Sequence, residues 1–273
     1  MPKRKISSTA SKLKKGRGQG SGIDYQPFLK VREVPSKGLS HRTKGLHTLR
    51  VHHSLSTLEH NYLQILDWSQ QVADIREQYP LPLDETLSIA NRLSIIHPPA
   101  HKDPDVMTTD FVIDIKQGER VQKIARTLKY AKDLNDGRVI EKFEIERTYW
   151  TEQGIDWGIV TELDIPDDLV QNLRWLRQGI HLEDLPNIDH GDVSYYEEAL
   201  FSIISSNTDT SLAQVGKLAD TRLCFEPGTG LSLIRYFIAT RIWQIDMMKK
   251  IIPSHPMVLL DRTNTWKDHI SNG

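Results

Sequence analysis

Residues 106–130 constrain this chain more than any other stretch. VMTTDFVIDI (Val106–Ile115) is dense in β-branched and aromatic residues, Lys116-Gln117-Gly118-Glu119 makes a polar turn with a glycine, and Val121–Tyr130 returns. That pattern predicts an antiparallel hairpin. A two-stranded hairpin is marginal by itself in water, so its apolar face needs neighbours. The flanks supply them. Ser54 or Ser56 caps a predicted helix reaching about Trp68, with Leu55, Leu58, Tyr62, Ile65 and Leu66 at helical spacing. A second helix, 136–152, carries Val139, Ile140, Phe143, Ile145 and Tyr149 and stops at Gly154. Strands are expected over 72–81 and 157–163, and a loop rich in proline over 82–104. Helix, strand, strand, strand, helix, strand is the order of an α/β mixed sheet with a helix on each side.

The 273 residues exceed the usual single-domain size. Residues 164–190, with two prolines and six Asp/Glu, read as the region of a linker that contains one helical piece at 169–177. Beyond it, 195–206, 211–219 and 231–240 predict three short helices, and 242–247 and 257–260 two strands, the pattern of a winged helix. The expected division is a basic flexible arm over 1–22, a main domain over 23–165, a linker over 166–190 and a winged-helix-like domain over 191–273. No apolar run reaches the roughly 18 residues of a membrane span, and no apolar stretch follows the basic start, so neither a span nor a secretory signal is expected. One cysteine, Cys224, offers no internal disulfide and no thiolate zinc site, which points to the cytoplasm.

The net charge of −1 hides a division along the chain. Residues 1–53 hold thirteen Lys/Arg against two acids, and the remaining 220 hold twenty-two against thirty-four. Clustered cations of this kind displace counterions from nucleic-acid phosphates, so Lys3, Arg4, Lys5, Lys12, Lys14, Lys15 and Arg17 are candidate DNA contacts. The alternative is a solvated tail. The glycine-rich Gly16–Gly22 stretch gives the arm too little apolar surface to fold by itself.

Glu59 is the most informative single residue. It stands four after Leu55, three before Tyr62 and seven before Leu66, inside the apolar stripe of its helix. A carboxylate there has to be paired with Arg or Lys, hydrogen-bonded, protonated or bound to a metal. Asp110 opens the apolar part of the hairpin, and strict alternation puts it on one face with Val112 and Asp114. Lys129 lies nineteen residues later on the returning strand, near enough across a hairpin to meet Asp110. A Glu on the preceding helix, an Asp at a strand start and a Lys on the next strand form the constellation of restriction-endonuclease-like nucleases: hard oxygen ligands for Mg²⁺ and a point charge for water and phosphate. His52 and His53, just before the Glu59 helix, either support it or touch phosphate. The eleven histidines show no second cluster at zinc-ligand spacing, and Gly16-Arg-Gly-Gln-Gly20 lacks the Gly-Lys-Ser/Thr of a phosphate loop.

Several separate segments, in order, resemble one family: Gly16-Arg-Gly-Gln-Gly20, Glu33–Gly38, Arg50-Val-His-His53, Leu58-Glu59, Asp74–Pro80, Thr109-Asp-Phe-Val112 and Glu141–Trp150. They are similar to TnsA, the endonuclease subunit of a heteromeric bacterial transposase, from about Gly16 to Trp175, with a weaker echo at Leu231–Arg235. The resemblance implies a restriction-endonuclease-like catalytic domain followed by a winged helix. It also implies catalytic roles for Glu59, Asp110 and Lys129, with the carboxylates holding Mg²⁺ (Mn²⁺ substituting). It implies double-stranded DNA at transposon ends as substrate, and a TnsB-like transposase and a TnsC-like ATPase regulator as partners. One position departs from the family pattern: two residues before the lysine, where a Gln is usual, this chain has Thr127. Its hydroxyl is shorter and a poorer ligand, so a second metal there would be held weakly or through water. A non-catalytic DNA-binding scaffold and an autonomous repair or restriction nuclease remain the rival readings.

Overall fold

The structure is a computed structural model and describes residues 9–34, 39–100, 103–184, 188 and 190–263. The chain divides into two compact units, 1–165 and 166–273.

The first unit is built on a four-stranded mixed sheet. Its central hairpin joins β6 (Thr108–Gln117) to β7 (Arg120–Leu128), in register from Phe111↔Arg126 to Gln117↔Arg120. Gly118 takes φ +61° in the turn, a conformation that glycine adopts without a Cβ penalty. β3 (Val72–Pro80) pairs antiparallel with β6, and β8 (Asp156–Val160) pairs parallel with β7, giving the order β3-β6-β7-β8. A parallel pair needs a long crossover, and α4 (Gly137–Glu152), capped by Asp136, supplies it. α2 (Thr57–Trp68) begins at Ser56, whose Oγ accepts the Glu59 amide at 3.1 Å.

Helices cover both faces. Tyr62 of α2 meets Phe111 edge to face at 5.7 Å. On the other face Val112 and Ala125 pack with Ile89 and Ala90 of α3 (Leu83–Arg92) and with Ile145, Tyr149 and Trp150 of α4. This mixed sheet flanked by helices fits the restriction-endonuclease-like fold expected for the main domain. α3 itself corrects the expected proline-rich loop. The prolines of that stretch sit at its ends, and Thr86, Ile89 and Ala90 are buried at helical spacing. The short pairs β1 (His41–Lys44) with β2 (Val51–Ser54), and β4 (Pro99–Ala100) with β5 (Asp103–Pro104), complete the strands of this unit.

The N-terminal segment departs from the expected flexible arm. Residues 9–34 contain α1 (Thr9–Lys14) and lie along β3 as a strap. Phe28 N donates to Gln78 O at 3.2 Å, and Tyr25 Oη donates to Glu77 O at 3.0 Å. A Cβ on Gly18 would come within 2.1 Å of Pro80 Cγ, so only glycine lets the strap approach this closely. The segment buries little by itself, as its composition requires, and takes its core from the sheet: Tyr25 and Phe28 are buried.

In the second unit, α5 (Asp167–Arg177) is the helical piece expected at 169–177, and it buries Val170, Leu173 and Leu176. Its buried Asn172 donates to Met247 O and Lys249 O and accepts from Ile251 N, tying down the loop that follows the last helix. α6 (Val193–Ser205), α7 (Leu212–Arg222) and α8 (Thr229–Ala239) pack around Leu200, Val215, Leu233 and Phe237. β9 (Trp243–Gln244) then pairs antiparallel with β10 (Asp261–Arg262). These strands are shorter than expected, and residues 257–260 lie outside them. No helix among the described residues is long and apolar enough to cross a membrane.

Candidate active site

Glu59 enters the first unit's interior from the first turn of α2. Ser56 and Glu59 are spaced as a capping box, and the side chain turns back accordingly. Its Oε2 accepts from Leu55 N at 2.8 Å and its Oε1 from Ser56 Oγ at 2.8 Å. The carboxylate is buried, and burial followed by repulsion from Asp110 pushes its pKa well above the usual range. Of the alternatives open to a buried carboxylate, the geometry shows hydrogen bonds to neutral donors and no Arg or Lys pair among the described residues.

Asp110 reaches the same place from β6. Its Oδ2 accepts from Leu128 N at 2.7 Å, and burial raises its pKa too, with Lys129 pulling the other way. Gln78 joins the two acids: its Nε2 donates to Glu59 Oε2 at 3.1 Å and to Asp110 Oδ1 at 3.4 Å. Lys129 is half-buried next to Leu128, with its amide on Val160 O at 3.1 Å, and its ammonium takes no hydrogen bond among the described residues. The three sequence candidates thus converge where α2, β3, β6 and the end of β7 meet.

Strict alternation, however, does not hold across Asp110. Val112 packs under α4, yet Thr109, three residues away, also meets α4, donating to Glu146 Oε1 at 2.6 Å and accepting from Trp150 Nε1 at 2.8 Å. Asp110 is thereby released from the Val112 face toward Gln78. β3 is irregular opposite it, because Gln78 has φ +51°.

Thr127 stands apart from the carboxylate pair in its bonding. Its hydroxyl donates to Glu146, another buried acid, whose pKa burial raises to about 7 despite two threonine hydroxyls that favour the anion. Sequence reasoning passed over both Glu146 and Gln78. Glu146 could have been found by the argument used for Glu59, since it lies among Ile145, Tyr149 and Trp150 on the apolar side of α4. Gln78 carries no charge to flag it.

The candidate DNA contacts fare differently. Lys3, Arg4 and Lys5 lie outside the described residues. Lys14 and Lys15 are exposed. Lys12 is instead buried, its ammonium 4.7 Å above the Phe28 ring, and Arg17 is clamped by both carboxylate oxygens of Glu33 at 2.7 and 2.8 Å and by Phe28 O. Both cations are thereby engaged within the protein. His52 is likewise corrected: it is 0 % exposed, between Thr48 Oγ1 (2.7 Å) and Glu77 Oε2 (2.9 Å), and so serves as support. His53 accepts from Val31 N at 3.4 Å and is partly exposed.

Among the described residues no group of three or more His, Cys, Asp or Glu is arranged to hold a metal. Glu59 and Asp110 form a pair, and a pair suffices for an ion that keeps most of its waters.

Two family models match the chain: TnsA-like endonuclease N terminal over residues 69–162, and TnsA endonuclease C terminal over 164–247. The first covers Gln78, Asp110, Lys129 and Glu146 and begins after Glu59. The transposon Tn7 transposition protein TnsA of Escherichia coli is 38 % identical over 240 residues, 88 % of this chain and 86 % of the relative. The chain therefore belongs to the TnsA family and is a DNA endonuclease.

Proposed function

We propose that this chain is the Mg²⁺-dependent nuclease of a cut-and-paste transposition complex, cutting the strands at the 5′ ends of the element while a TnsB-like transposase cuts and joins the 3′ ends. One observation carries the reading: two carboxylates on separate elements, one buried and one largely withdrawn from water, converge on a single neutral amide, beside a lysine whose ammonium makes no hydrogen bond among the described residues. Like charges buried together are each raised toward protonation, so a divalent cation is the partner that lets both ionise. Glu59 and Asp110 would hold it, and Mn²⁺ would serve in place of Mg²⁺. When bound, the ion lowers the pKa of a coordinated water and offsets charge on the scissile phosphate.

The chain's own groups do the rest. Asp110 is aimed by Leu128 N, which fixes its distance from Lys129 one residue on. Lys129 brings a point charge on a flexible stem, suited to orienting water and meeting the negative charge that grows on phosphate. Its backbone is pinned to Val160 of β8, so the lysine is carried by the sheet. The second unit, whose helices α6, α7 and α8 follow α5 and lead into a short antiparallel pair, is read as winged-helix-like and would contribute DNA or partner contacts. The similarity to a transposition protein supports double-stranded transposon ends as substrate, and a TnsC-like ATPase regulator as a second partner.

The test uses the assembled transposition system with Glu59→Ala, Asp110→Ala or Lys129→Ala in this chain. 5′ cuts should vanish while 3′ joining persists, shifting products from simple insertions to cointegrates. Simple insertions at undiminished frequency would overturn the assignment. Efficient cutting of plasmid DNA by the purified chain alone would favour an autonomous nuclease instead.

A further inference from the structure

Gln78 occupies the point on which the site turns, and its backbone is unusual. At φ +51° it is a non-glycine residue in the left-handed region, inside a strand, where most side chains cost about 1 kcal/mol or more. Such a conformation persists only where the surroundings over-determine it, and here they do. Gln78 O is held by Phe28 N, while the preceding Glu77 is fixed by Arg50, His52 and the amide of His53. Gln78 is 2 % exposed. Its Nε2 faces both carboxylates, and its Oε1 accepts no hydrogen bond among the described residues. An amide whose nitrogen is spent on two acids, while its oxygen makes no hydrogen bond among the described residues and is not fully enclosed, is poorly explained as packing. Strain stored next to reactive groups is characteristic of functional sites.

We propose that Gln78 is a ligand of the divalent cation, completing the set begun by Glu59 and Asp110; the inference rests on the nuclease reading above. Without metal, the amide N–H₂ bridges the two carboxylates as a neutral stand-in for the ion. A half-turn about the last side-chain bond exchanges nitrogen for oxygen at nearly the same position, and Oε1 then faces the ion. A side-chain amide carries donor and acceptor on one planar group, so Gln78 can serve both states. The left-handed backbone sets where that group is presented.

The test is Mn²⁺ and Ca²⁺ binding to the full chain without DNA, followed by calorimetry and by the electron spin resonance of free Mn²⁺, with near-ultraviolet circular dichroism to establish folding. Gln78→Met keeps length and removes both polar atoms, and should weaken binding roughly 10–100-fold, the range for groups that organise a metal site. Gln78→Asn tolerates the left-handed backbone but withdraws the oxygen by one methylene, and should also weaken binding with the fold intact. Gln78→Glu supplies a carboxylate oxygen and should bind more tightly than the parent while melting lower in the absence of metal. If Gln78→Met and Gln78→Asn both bind within threefold of the parent while Glu59→Ala and Asp110→Ala lose binding, the ligand role is wrong and the metal site stands. If the parent binds neither ion, both readings fall.

Discussion

Glu77 keeps its negative charge at 1 % exposure because four donors converge on it: two nitrogens of Arg50 at 2.5 and 2.8 Å, His52 Nδ1 at 2.9 Å and His53 N at 3.0 Å. Burial alone would raise its pKa, but the Arg50 and His52 hydrogen bonds outweigh it and bring the value to about 2. A pKa depressed by folding means stability that is present above the unfolded value, about 4.5, and lost as pH falls toward 2. Glu77→Gln should therefore cost about 3–5 kcal/mol at neutral pH, since Arg50 would be left buried without its counter-ion. It should also flatten the acid limb of the stability curve below pH 4.5. Urea unfolding across pH measures both, and an unchanged acid limb would contradict the clamp. Glu59, Asp110 and Lys129 were legible because charge in an apolar pattern demands explanation. Glu146 answered to the same demand, but α4 was read only for its apolar residues. Gln78 was illegible because its strain depends on the strap, which lies some fifty residues away.

At the scale of elements, α1 separates cations that sequence treats alike. Lys12 faces Phe28 and Lys14 faces water, two residues on around a single helical turn and a half. Lys12→Ala should lower stability by about 0.5–2 kcal/mol through the lost cation–π contact and leave the salt dependence of DNA binding unchanged. Lys14→Ala and Lys15→Ala should leave stability alone and reduce the log-log salt slope by up to about 0.9 each, if each meets a phosphate. Binding measured from 50 to 300 mM salt distinguishes them; a slope unchanged by both would remove this part of the chain from the DNA interface. Long periodic elements such as α2, α4 and the β6–β7 hairpin were readable because local pattern and tertiary burial agree there. α3 was not, because clustered prolines at the ends of 82–104 masked a proline-free interior. The end of alternation at Asp110 was also hidden, since only packing against α4 reveals it.

At the scale of the whole molecule, 1–165 and 166–273 each have their own core, and each produced separately is expected to unfold cooperatively, as seen by calorimetry. Within the first unit the contacts differ greatly in sequence distance. The β6–β7 hairpin closes locally, whereas the strap meets β3 across fifty residues, as in Phe28 to Gln78 and Tyr25 to Glu77. Contacts between distant parts of a chain form late because loop closure must come first. Pulse-labelled hydrogen exchange during refolding should show the β6 and β7 amides protected before that of Phe28, and simultaneous protection would contradict this order. The strap has a further consequence during synthesis. Its residues leave the ribosome before the strand they grip, and at roughly 5–20 residues per second they wait about 3–10 s for β3 and longer for β6. Until the strap then folds back onto β3, Gln78 has nothing to hold it in its left-handed turn, so the sheet can exist before the site does, and a growing chain stays unable to cut the DNA around it until that docking is complete.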